Sequence, residues 1–89
     1  MASSKSKTTE ISIQVDLNEN NLPVEMRWNA QDSNIKDSIA SAFFLSLWDP
    51  KQKNTMKIDL WTKDMSVEEM KQFFHQSLLS MADTFEKAT

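Results

Sequence analysis

Apolar and polar residues alternate over much of the chain with a period of two. From Thr9 onward, Ile11, Ile13, Val15 and Leu17 fall on one side and Glu10, Ser12, Gln14 and Asp16 on the other, as in a half-buried strand. The turn-forming cluster Asn18-Glu19-Asn20-Asn21 follows. Leu22, Val24, Met26, Trp28 and Ala30 then resume the alternation, so the two segments predict a β-hairpin. Pro23 has no amide hydrogen to give a ladder, which favours a strand start or an edge. After the loop Gln31-Asp32-Ser33-Asn34, the spacing of Ile35, Ile39, Ala42, Phe43 and Leu47 predicts a helix over about 35–48. Phe44, Leu45 and Trp48 make its last turn apolar nearly all round, and Asp49-Pro50 would end it. Met56, Ile58 and Leu60, alternating with Lys57, Asp59 and Trp61, predict a third strand near 54–62.

The final segment carries the strongest start signal. Ser66 with Glu69 three residues later forms a capping box, and Met65 with Met70 suits a hydrophobic staple. Val67, Met70, Phe73, Phe74, Leu78, Met81 and Phe85 then make an apolar stripe. Glu68 and Glu69 near the start and Lys87 near the end complement the helix dipole. The expected order is ββαβα, an α+β fold with a three-stranded, mainly antiparallel sheet and two helices packed on one face. If the crossover from the second strand to the third skips one position, the first strand sits centrally. Residues 1–7 are polar and patternless and are expected to form a disordered tail, leaving 8–89 as a single domain.

Composition narrows the function classes. Hydrophobic residues make up 39% and charged residues 26% of 89 positions, a balance that folds. Ten Lys and Arg are scattered among thirteen acids for a net charge of -3, so no basic stripe tracks a nucleic-acid backbone. The chain has no cysteine, which excludes disulfides and thiolate chemistry and agrees with a reducing, cytoplasmic setting. The N-terminal residues lack the apolar core of a secretory signal, and no run is long enough to span a bilayer, so neither export by that route nor membrane insertion is expected. Glycine is absent. That removes the P-loop and the dinucleotide fingerprint, and it leaves positions of positive φ to Asn and Asp, with six asparagines available.

Catalytic constellations are missing from the pattern. His75 is the only histidine, and its helical neighbours Lys71, Gln72, Leu78 and Leu79 include no acid to orient it, so it reads as a solvated helix residue. The carboxylates are spread without histidine or thiolate partners, and no serine sits in a nucleophile-elbow sequence. No cofactor and no metal are expected. The three tryptophans carry more information, since tryptophan is a frequent interface anchor. Trp28 falls on the inward register. Trp61 is out of register with Met56, Ile58 and Leu60 and should project to the opposite face with Lys57, Asp59 and Lys63. Trp48 either lines the same patch or caps the core.

The stretches Ser46-Leu47-Trp48-Asp49, Lys57-Ile58-Asp59-Leu60-Trp61-Thr62-Lys63-Asp64-Met65 and Met70-Lys71-Gln72-Phe73-Phe74-His75-Gln76 resemble the GldC family of bacterial gliding-motility proteins. The likeness covers roughly residues 8 to 88, with Gln31-Asp32-Ser33-Asn34 standing where family members tend to carry glycine. The resemblance implies a small cytoplasmic accessory to the gliding machinery with no known catalytic residue or cofactor. Trp48, Asp49, Asp59, Trp61, Lys63 and Asp64 are the candidate interaction residues, chosen by motif density; Asp49 and Asp64 also suit plain capping or turn roles. Two readings follow. One is a non-catalytic module that binds a protein of the gliding machinery or a second copy of itself, through Trp61 or an open strand edge. The other is a small enzyme or ligand carrier with a pocket between sheet and helices, using His75 or an acid.

Overall fold

The alternation at the start of the chain closes into a hairpin, and further antiparallel pairs follow it. The computed structural model describes residues 6–89. Strands β1 (Ile11–Leu17), β2 (Pro23–Ala30) and β3 (Ile35–Ala40) form one antiparallel sheet in the order β1-β2-β3; β4 (Ala42–Asp49) and β5 (Asn54–Trp61) form a second, and helix α1 (Val67–Ala88) ends the chain. The fold is thus α+β with antiparallel sheets, but it has five strands and one helix where three strands and two helices were expected. Of the predicted tail, residues 1–5 lie outside the described residues, and Ser6 and Lys7 are exposed and belong to no element.

The β1–β2 turn depends on asparagine. The Asn18 side-chain oxygen accepts hydrogen bonds from the Asn20 and Leu22 amides at 2.8 and 3.0 Å, and Asn21 takes a φ of 61°. Asn34 (φ 56°) and Asp37 (φ 50°) occupy the other left-handed positions of the first sheet, as a glycine-free chain requires. Pro23 opens β2 and leaves the rest of this strand free to pair on both sides. β2, not β1, is therefore central.

The predicted helix over 35–48 is instead β3 and β4, joined at Ser41. Its spacing also fits extended backbone. In period two, Phe43, Leu45 and Leu47 share one face while Ala42, Phe44 and Trp48 share the other, and apolar residues on both sides of a short run suit a strand as well as a buried helix. Asp37 supplies the local break: its left-handed backbone cannot propagate a helix, and its amide donates to the Asn29 side-chain oxygen at 2.9 Å beside an irregular step in the β2–β3 register. Asp49-Pro50 ends a strand, not a helix. The Asp49 Oδ1 accepts from the Lys51 and Gln52 amides at 2.9 and 3.2 Å, and the Lys53 amide donates to the Asp49 carbonyl at 2.8 Å, closing the β4–β5 hairpin.

α1 begins as expected. The Glu69 amide donates to the Ser66 Oγ at 3.1 Å, while the Ser66 amide donates to the Glu69 carboxylate at 3.2 Å. The helix meets β4 through aromatic rings: Phe44 stacks on Phe73 at 4.5 Å and meets Phe74 edge-on at 5.0 Å. Among the described residues the buried apolar set is only Met26 (0% exposed) and Ala30, joined by the polar Thr62, whose hydroxyl donates to Asp64 at 2.6 Å.

Candidate functional site

Residues directly opposite on an antiparallel pair project to one face, so the β4–β5 register sorts the candidates. Ala42/Trp61, Phe44/Asp59, Ser46/Lys57 and Trp48/Thr55 share one face, and Phe43/Leu60, Leu45/Ile58 and Leu47/Met56 share the other. The expected division of β5 is therefore present, with Trp61 beside Lys57 and Asp59. The orientation relative to the helix is the reverse of that expected. α1 sits over the Phe44 side, which Trp61 shares, and Met56, Ile58 and Leu60 turn away from the helix. On that far face Leu47, Met56 and Ile58 are all exposed.

Three of the six candidate residues come together. Asp59, Trp61 and Lys63 line a cleft of about 240 Å³ with Leu60 and with Leu22 and Pro23 at the start of β2. Trp61 is 54% exposed there, its strand end held by the amide of Thr62 donating to the Ser41 carbonyl at 2.8 Å. Asp59 is bridged by Lys57 at 3.4 Å, which leaves Lys63 as the cation at the mouth without a salt bridge among the described residues. The cleft thus offers an indole and aliphatic wall with one positive and one paired negative group on its rim, a setting for an apolar side chain flanked by polar backbone.

The other candidates separate from it. Trp48 is exposed opposite Thr55 near the hairpin turn, six residues along β4 from Trp61's partner Ala42, or ~20 Å away. Asp49 is engaged by its turn, and Asp64 accepts the bond from buried Thr62 while the Met65 amide donates to the Thr62 carbonyl, so both carboxylates shape the chain where they stand. Leu22 and Pro23 were not singled out from the sequence. They come from a segment nearly forty residues away from Trp61, and local pattern carries no signal for that approach. Trp28 does fall in register with Ile13 and Ser38 on the Met26 side of the first sheet.

Other concavities lie outside the cleft, one of them along α1 around Met81, Thr84 and Phe85. A groove of about 600 Å³ runs between β4 and α1, lined by Phe44, Ser46, Phe73, Gln76, Ser77 and Met81 among others, and His75 is not part of its lining. A polar hollow of about 430 Å³ lies at the far end of the first sheet around Glu10, Ser12 and Asn29. Among the described residues no cluster of histidine and carboxylate groups is arranged to hold a metal ion, and no helix is long and apolar enough to cross a membrane.

An α+β chain of this kind, with a glycine-free hairpin sheet and a terminal helix leaning on a second hairpin, defines a small module and not a chemistry. The family model described as gliding motility-associated protein GldC-like matches residues 23–89, and the chain belongs to that family. The match takes in β2 through α1, including every wall of the Trp61 cleft except Leu22. Neither a curated protein nor a solved structure matches the chain.

Proposed function

We propose that this protein is a non-catalytic accessory of the bacterial gliding-motility machinery, acting in the cytoplasm by docking a protein of that machinery at the Trp61 cleft. Family membership supports the process. The observation that carries the contact is the half-exposed indole of Trp61, held at a strand end with Leu22 and Pro23 beside it and Lys63 on the rim. An exposed tryptophan next to a small apolar cleft has the make-up of an interface anchor. The cysteine-free sequence agrees with a reducing, cytoplasmic setting. A ligand-binding or enzymatic role in a pocket between sheet and helix would use the β4–α1 groove, whose lining offers serine hydroxyls and Gln76 but no histidine or carboxylate.

The test is complementation in a gliding strain that lacks the gene. Wild-type protein restores spreading, whereas Trp61→Ala and Lys63→Glu, each shown to be folded by circular dichroism and present at wild-type level, do not. Full spreading with a folded Trp61→Ala protein defeats the assignment of this cleft. Loss of spreading with Gln76→Ala/Ser77→Ala while both cleft variants glide supports the groove instead.

A further inference from the structure

Apart from Leu79 and Ala82, the apolar residues of α1 fall on two lines, of which the protein covers one and touches the other only at Phe74, against Phe44, and at Met81, on the border of the β4–α1 groove. Met70 and Phe73, with the polar Ser77, are half-buried on the side facing β4. Val67, Phe74, Leu78, Met81 and Phe85 form a separate line and are all exposed, Leu78 to 62% and Phe85 to 70%. Their spacing of seven, four, three and four residues is that of a coiled-coil seam, interrupted only by Lys71 and continued by Ala88. No residue of the helix is buried.

The molecule as a whole has the surface of a protomer that lacks a partner. Its accessible area is 7889 Å². A compact monomer of 10.3 kDa exposes roughly 5,400 Å². Even with several hundred Å² set aside for the chain ends, the surplus exceeds the ~800 Å² per partner of a standard interface. The radius of gyration, 16.2 Å, likewise exceeds the ~12 Å expected for a compact chain of this length.

We propose that a second copy of this chain covers the seam, the two α1 helices lying antiparallel about a two-fold axis between Leu79 and Ser80. The seam complements itself in that register. Phe74 meets the other copy's Phe85 and Leu78 meets its Met81, each contact occurring twice, as a two-fold interface requires. Lys71 then falls beside the other copy's Ala88, where the free carbonyls of the helix C-terminus favour a cation. A parallel pair would instead set Lys71 against Lys71 inside the seam and align the two helix dipoles unfavourably. A lipid surface fits less well, because the helix carries Glu68, Glu69, Asp83 and Glu86 against Lys71 and Lys87, the wrong balance for an anionic bilayer. The dimer does not rest on the gliding role: the Trp61 cleft lies outside the seam, so either assignment can fail without the other.

The natural chain has no cysteine, which makes introduced thiols unambiguous reporters. Lys71→Cys/Ala88→Cys should become a disulfide-linked dimer on mild oxidation. Each single variant should stay unlinked, because its two like sites would lie ~25 Å apart along the antiparallel pair. Light scattering of the unmodified protein should give twice the protomer mass, and Leu78→Asp should raise the dimer dissociation constant about a hundredfold or more. A folded monomer up to millimolar concentration, cross-linking by either single variant alone, or a monomer that floats with phosphatidylglycerol vesicles overturns the proposal. If Leu78→Asp proves unfolded, the cross-linking pattern decides by itself.

Discussion

Among the described residues Met26 is the one large side chain that is fully buried, so Met26→Ala tests whether the first sheet holds the core. Met26 lies on central β2, with Val15 of β1 and Ala40 of β3 opposite it on the same face. Truncation removes three heavy atoms from contacts on both sides and leaves a cavity that paired backbones on either side cannot readily close. The expected loss is ~3 kcal/mol, within the 2–5 kcal/mol seen for comparable core truncations. For a domain of this size that lowers the melting temperature by roughly 12–24 °C. Because subunit association would itself contribute to apparent stability, mutant and wild type must be compared at one protomer concentration by urea and thermal unfolding followed by circular dichroism. Ile11→Ala, on the same face but 71% exposed, is the control and should cost less than ~1 kcal/mol. A Met26→Ala loss below about 1 kcal/mol, or one no larger than the control's, would refute the placement of the core between the strands of the first sheet.

Three further substitutions probe single devices of the fold. Ser66→Ala deletes one half of the capping box and should cost ~1 kcal/mol in thermal unfolding, with faster amide exchange confined to the first turn of α1. Asp49→Ala frees the Lys51 and Gln52 amides and should cost ~1 kcal/mol, and exchange of those two amides reports it directly. Lys53→Gly should stabilise the protein by ~1 kcal/mol, because Lys53 holds a φ of 56° that costs a residue with a β-carbon about that much; unchanged or lower urea stability would count against strain at this turn.

Local signals were legible wherever a residue pattern has one structural solution. The period-two runs of β1 and β2 lead to one hairpin, and Ser66 with Glu69 leads to one helix start. The need for positive φ without glycine fell to Asn21, Asn34 and Asp37 as expected, while Lys53 took a fourth position that no composition argument would assign. The segment from Ile35 to Asp49 was misread because its apolar residues satisfy two periods at once: Ile35, Ile39 and Phe43 recur every four positions, and so also every second position. Extended backbone prevails where Asp37 turns left-handed and the aromatic pair Phe43-Phe44 can serve two faces of a strand. The same misreading hid half of the candidate surface, since a helix over 35–48 leaves β5 without the partner that sets its faces.

Periodicity shows which residues share a face; what covers that face is a separate question. Met56, Ile58 and Leu60 alternate as an inward set would, yet they point away from α1, and Phe74, Leu78, Met81 and Phe85 form a core-like stripe that stays largely exposed, touched by its own chain where Phe74 meets Phe44 and Met81 borders the β4–α1 groove. Both patterns assume that apolar residues are buried by the molecule that carries them, an assumption that holds for a compact monomer and fails for a protomer. A 22-residue helix with a regular seam and no buried residue is difficult to explain as an isolated element in water, because most of a helix's stability comes from packing of its apolar face. The surplus surface and the small core would both be accounted for by the proposed pairing of two copies along α1, in which each copy supplies the cover that the other's exposed seam lacks.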